Sequence, residues 1–144
     1  VKRTGAAARV PRRVIMKLLA KRAERIAASM ASASPEALPP TDVDPDSNRG
    51  LGYRLMLQFG FAADQWQYLD ALWRRESGWN HLAENPSSGA YGVPQSLPGS
   101  KMAAVAPDWR TNPETQIMWG LAYIAARYGD PEGAWGHSQR VGWY

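Results

Sequence analysis

Apolar and polar positions follow three rhythms along this chain. Between residues 10 and 28, Val14, Leu18 and Ile26 are interleaved with Arg12, Arg13, Lys17, Lys21, Arg22 and Arg25, which predicts a basic amphipathic helix. Residues 31–49 (ASASPEALPPTDVDPDSNR) then offer four prolines, four acids and little to bury, so an extended, semi-stiff linker is expected. Beyond it, Leu51–Phe59 reads as a short helix stopped by Gly60. In residues 63–78 (ADQWQYLDALWRRESG), Trp66, Leu69 and Trp73 recur at helical spacing, with Gln67, Asp70, Arg74 and Arg75 on the opposite, solvated face. The stretch His81–Ser100 is too rich in Asn-Pro, Ser-Gly and Pro-Gly steps for long regular structure. A further helix starts at Pro113, with Asn112 as N-cap, Glu114 at the positive end of the dipole, a stripe of Ile117, Leu121, Ile124 and Tyr128, and Gly129 as its stop. Asp130-Pro131-Glu132 opens a last short helix through Trp135 by the same capping logic. The expected organisation is a basic helical arm (1–30), a linker (31–49) and a mainly helical domain (50–144) with one irregular lobe in which short β pairing is possible.

Composition sharpens this division. All seven Trp, six Tyr and two Phe fall between Tyr53 and Tyr144, so the core is expected there. Nine Lys or Arg and a single acid lie in residues 1–25, against eight basic and twelve acidic residues in the rest, so the high pI belongs to the arm. Such an arm suits an anionic lipid surface, self-association through residues 1–30, or simply a solvated face. Lys17 interrupts the longest apolar run (VIMKLLA), which leaves neither a secretory core nor a transmembrane span. The chain opens on Val, for which either a piece of a larger polypeptide or a start from an unusual codon is expected.

One residue breaks the helical pattern. The next position on the stripe of Trp66, Leu69 and Trp73 is Glu76. A carboxyl on an apolar face resists ionisation, the preparation that a general acid needs near neutral pH. On periodicity alone, a frayed helix end that reaches water, or a pair with Arg75, stays open.

Three segments resemble one family when taken in order. They are Glu76-Ser77-Gly78-Trp79, then Ser88-Gly89-Ala90-Tyr91-Gly92-Val93-Pro94-Gln95, then Gly133-Ala134-Trp135-Gly136-His137-Ser138. Together they resemble the lysozyme-like superfamily, specifically the soluble lytic transglycosylases and related muralytic domains of actinobacteria and their phages, over residues 50–144. The resemblance implies an α+β lysozyme-like fold and a single catalytic acid, Glu76. It implies that Ser77 helps to hold that acid, that Gln95 lines the sugar cleft and that Tyr91 forms a cleft wall. Trp135 matches the aromatic of the third motif, but Gly136 stands where the family has Asn, leaving His137 or Ser138 to supply that contact. The implied reaction is cleavage of the β-1,4 bond between N-acetylmuramic acid and N-acetylglucosamine, with a 1,6-anhydro product. A hydrolase and a non-catalytic wall-binding module are the alternatives.

The resemblance further implies peptidoglycan strands as the partner. Carriage in a phage tail follows, as the end of a tape-measure protein or beside other tail-tip proteins; secretion is the competing route. No cofactor and no metal are expected, because there is no Cys, and only two His, His81 and His137. Nucleic acid is not an expected partner. Glu84, Asp108 and Glu114 are the remaining candidates for a second carboxylate, and none has a motif around it that resembles one.

Overall fold

The computed structural model describes residues 5–31 and 39–144. Five helices carry the chain: α1 (Arg12–Ala31), α2 (Asn48–Phe59), α3 (Trp66–Ser77), α4 (Pro113–Tyr128) and α5 (Pro131–Val141). Short 3₁₀ turns span Ala63–Gln65 and Gly99–Ala104. Among the described residues, β structure is limited to isolated bridges, which pair Glu84 with Tyr91, Tyr91 with Ser96, and Ser96 with Ala6. The mainly helical class expected from the sequence is therefore observed.

Local signals placed most of the boundaries. Ser47 caps α2 by accepting from Gly50 N–H, and Gly60 ends it in the left-handed conformation at φ 113°. Asn112 accepts from Glu114 N–H with Pro113 in the first turn, as its sequence position predicts. Asp130 does the same for α5 through Gly133 N–H. That last helix runs on to Val141, past the expected end near Trp135, because nothing before Gly142 stops it.

Helix α4 is the centre of the molecule. Every residue from Thr115 to Ile124 is buried, because α1, α2 and α5 all pack on it. A helix covered on all sides must have little polar surface, and this one sets the stacked pair Trp119 and Tyr123 on one side and Leu121 and Ile124 on another. The fully buried Trp73 lies against it at Gly120, where a Cβ would come 2.6 Å from the indole and 3.0 Å from Pro94.

The basic segment differs from its expected form. It becomes helical only at Arg12, and it packs on α4 and α2 within the same body as the aromatic domain. Ile15 is buried in the common core, with Leu18 and Leu19 against it. Arg25 donates to the Phe59 carbonyl at the negative end of α2, and Arg22 to Gln58. Arg12, Arg13, Lys17 and Lys21 stay exposed. An amphipathic pattern specifies that one face will be covered but not by what, and here the covering surface belongs to the same chain. The middle of the expected linker, residues 32–38, lies outside the described residues; near its end, Val43 is buried in the core. Residues 5–10, expected within the basic helix, run instead as an extended segment across the domain.

Gly120→Ala is expected to lower stability by about 2 kcal/mol, since neither the buried indole nor Pro94 can retreat easily. Urea unfolding of the two proteins measures the difference.

Candidate functional site

The site begins at the C-terminal end of α3. Gly78 (φ 61°) closes the helix through bonds from its N–H to the carbonyls of Arg74 and Trp73. Trp79 follows with φ 62°, a conformation that side chains other than glycine rarely adopt, and it is buried. Its indole stands edge-on to Trp73 at 5.2 Å, and its Nε1 donates to Asp70 at 2.9 Å. Asp70 also accepts both donors of Arg49, at 2.9 and 2.8 Å. Burial pushes the Asp70 carboxyl up, but the bonds from Arg49 and Trp79 outweigh it and hold the group below its ordinary range. Asp70 was expected on a solvated face. It is instead the clamp that turns the chain sharply after Glu76.

Glu76 is half-buried, one residue before the helix ends. Burial is the main reason that its carboxyl is pushed up to about 7; the positive charge of Arg75 and a hydrogen bond from Gly5 N–H act the other way. The carboxyl of the stripe's odd residue therefore holds its proton near neutrality, as the pattern implied. Beside it lies the fully buried Tyr144. Its phenol accepts from Trp73 Nε1 at 2.9 Å and donates to Pro94 O at 2.7 Å. The charged forms of Glu76 and Tyr144 repel, and burial with that repulsion drives the phenol's ionisation far upward. Tyr144 thus remains a neutral, apolar neighbour that withholds water from the acid.

The loop lobe is fastened to this helix end. Ser77 Oγ donates to Val93 O at 2.8 Å, holding the acid's neighbour to the loop rather than touching the acid. Gln116, fully buried on α4, accepts from Val93 N–H at 2.9 Å and donates to His81 O and Trp109 O at 2.9 and 2.8 Å. Gly92 is obligatory opposite it: φ is 78°, and a Cβ would come 2.4 Å from the Gln116 amide oxygen. Gln95 sits at φ 55° and is almost wholly buried. Its Nε2 donates to Ala83 O and Gly92 O, so both amide protons are committed to the loop backbone, while its own carbonyl faces the segment at residues 5 and 6. Tyr91 is half-buried, edge-on to Trp109, with its hydroxyl donating to Arg110 O at 2.7 Å.

The third segment lies on α5, which packs against α3, and Arg75 donates to Ser138 O at 3.3 Å. Trp135 is half-buried against the core on α5. His137 Nδ1 is 2.9 Å from the Trp143 carbonyl, which can only accept, so Nδ1 carries the proton and pins the tail before Tyr144. At Gly136 a Cβ would find only the Arg140 guanidinium at 3.5 Å, so a side chain would have room there.

The structure thus brings Glu76, Gln95 and Tyr144 together around Gly5, with Ser77 and Tyr91 on the supporting lobe. It does not bring Trp135 or His137 into contact with the acid. Among the leftover acids, Asp108 accepts from Asn112 and Thr115 and is held low by those two bonds. Glu84 and Glu114 are exposed. Among the described residues, none of the three acts on Glu76, and no group of His and carboxylates is arranged to hold a metal. Sequence reading missed Asp70, Gln116, Tyr144 and the Gly5–Ala8 segment. Only the small-residue run of that segment hinted at close approach. No family model, no curated protein and no solved structure matches the chain.

A testable consequence follows from the raised carboxyl. The unfolded chain releases the Glu76 proton near 4.5, the folded chain only near 7, so folding loses stability as pH rises between these values. Glu76→Gln removes that loss. The variant is expected to match the parent near pH 4 and to exceed its stability near pH 8 by up to about 3 kcal/mol, read by urea unfolding at both pH values.

Proposed function

We propose that this protein cleaves peptidoglycan glycan strands as a lytic transglycosylase, with Glu76 as its single acid. The observation that carries this reading is a carboxyl at a helix end, pushed up to about 7 by burial, beside the loop lobe to which Ser77 is bonded. The resemblance of Glu76-Ser77, Gly92–Gln95 and Ala134-Trp135 to the lytic transglycosylase motifs agrees with it, and the mainly helical fold is consistent with it.

In this scheme Glu76 donates its proton to the oxygen between N-acetylmuramic acid and N-acetylglucosamine. The bond from that oxygen to C1 of the muramic acid breaks, and the N-acetylglucosamine leaves with a free 4-hydroxyl. The muramic acid's own acetamido oxygen shields the positive charge at C1. The Glu76 carboxylate then takes the proton of the muramic acid 6-hydroxyl as its oxygen closes on C1, giving the 1,6-anhydro product and restoring the acid. A two-carboxylate glycosidase needs a second acid at a set distance. The engagement of Asp108 by Asn112 and Thr115, and the exposure of Glu84 and Glu114, favour the single-acid scheme over a hydrolase. Ser77 holds the helix end to the loop, Tyr91 walls the cleft, and Gln95 serves through its loop and carbonyl. Trp135 and His137 support the fold of α5 and the tail.

One observation favours a second reading, a wall-binding module that does not cut. Gly5 N–H already occupies the acid, and both Gln95 amide protons are spent. Delivery on a phage tail, alone or beside other tail-tip proteins, also remains a proposal, and finding the polypeptide in purified virions tests it.

Digestion of purified sacculi separates these readings. Anhydro-ended muropeptides are expected; reducing ends would make the protein a hydrolase, and intact wall with tight binding would make it a module. Cleavage is expected to fall as pH rises through about 7, because the acid must begin protonated. Glu76→Gln should lower the rate by roughly a hundredfold to ten-thousandfold while leaving glycan binding intact. Normal lysis by that variant would remove Glu76 from the mechanism.

A further inference from the structure

The segment before α1 lies against Glu76, Gln95 and Tyr144. Ala6 pairs in parallel with Ser96: its N–H donates to Gln95 O at 2.9 Å, and its carbonyl accepts from Leu97 N–H at 3.4 Å. On the other side, Ala7 N–H donates to Tyr144 O at 2.8 Å, and Tyr144 N–H to Gly5 O at 3.0 Å. Ala8 N–H donates to the Tyr123 hydroxyl at 2.7 Å. Gly5 N–H completes the set on the Glu76 carboxyl. Only glycine fits there, since φ is 71° and a Cβ would come 2.2 Å from Gln95 O.

We infer that residues 5–10 form an autoinhibitory strap seated over the acid, and that a glycan strand must displace it to reach Glu76. This rests on the glycan-cleaving reading of the site. The seat is made by backbone groups, with small side chains that add little burial. Past Ala8, Val10 packs against the core, and a cavity of about 290 Å³ lies among Ala8, Val10, Ile15, Lys101, Trp119 and Tyr123. Lys101 is partly desolvated there and feels the like charge of Arg9, both of which lower its pKa.

The chemistry of the seat also suits its replacement. Ala6 offers its N–H to Gln95 O and its carbonyl to Leu97 N–H, from two successive peptide units of the strap. An acetamido group on an amino sugar carries the same donor and acceptor. Neighbouring acetamido groups of an N-acetylated strand can therefore take over these two bonds, where bare removal of the strap would leave Gln95 O and Leu97 N–H unpaired. Because α1 tethers the strap to the same body, it returns to its seat at high effective concentration after each opening.

A disulfide lock tests this in the full chain, which has no cysteine of its own. Ala6→Cys together with Ser96→Cys joins the paired positions, and oxidised and reduced forms of one protein are compared, each checked by tryptophan fluorescence. The oxidised form is expected to cleave sacculi, and to bind the hexamer of N-acetylglucosamine, at least tenfold less well than the reduced form. In the unaltered chain, saturating hexamer should speed hydrogen exchange at Ala6 and Ala7 at least tenfold. Ala6→Pro, which deletes the donor to Gln95 O, should raise cleavage severalfold. Equal cleavage and binding in both redox forms, greater protection of Ala6 and Ala7 with the hexamer, or a loss of cleavage in Ala6→Pro would each make the strap a fixed wall of the cleft and overturn the proposal. Those outcomes leave the glycan reading standing. If neither redox form nor Ala6→Pro binds or cleaves glycan, both readings fall.

Discussion

Desolvation of a single carboxyl organises this molecule. A glutamate on the apolar stripe of α3 is costly to ionise, and the chain accepts that cost instead of exposing the group. Trp73 packs under the helix, Tyr144 fills the space beside the acid, and the Gly5–Ala8 segment lies over it. Each of these neighbours is itself held by a polar bond: the indole of Trp73 on the Tyr144 hydroxyl, that hydroxyl on Pro94 O, and Tyr144's backbone on Gly5 and Ala7. The acid's surroundings are apolar in contact but polar in support, so most of the groups buried around it find partners.

The remainder of the fold supplies the rigidity that this arrangement needs. Helix α4 passes through the centre, and two of its small or polar positions do the fastening. Gly120 admits the Trp73 ring, and Gln116 binds three separate stretches of the irregular lobe through one amide. A lobe with only isolated bridges would otherwise have few ways to keep its backbone in register. Burying Gln116 is tolerable because the oxygen and both protons of its amide find partners. Asp70 performs the equivalent task at the other end, where it fixes Trp79 after the helix stop with help from Arg49.

The same contacts that protect the acid also cover it. If the site handles glycan, its resting form is closed, and the energy of binding an N-acetylated strand has to replace the strap's backbone bonds. The basic helix that follows the strap then acquires a role beyond solubility, because its docking on α4 and α2 keeps the strap within reach of its seat. A module that only grips the wall would have to open in the same way, since the covered groups are the ones that either activity would use.

Periodicity and capping chemistry were local enough to be read from residue order. They marked α3 with Glu76 on its buried stripe, the starts of α4 and α5 at Asn112 and Asp130, and the stops at Gly60, Gly78 and Gly129. Each of those features depends on residues within one or two turns of one another. What lay beyond residue order were the pairings across long separations: Gln116 with Val93, Tyr144 with Trp73, and Gly5 with both Glu76 and Gln95. A glutamine in a helix, a tyrosine near a chain end and a glycine before three alanines carry no pattern that names a partner. The apolar face of α1 likewise showed that it would be covered, and only packing decided that its own domain would cover it. Short-range sterics and hydrogen bonds act along the chain and leave their mark in it; the desolvation that makes Glu76 an acid is produced by residues far apart in sequence, and exists only once they have met.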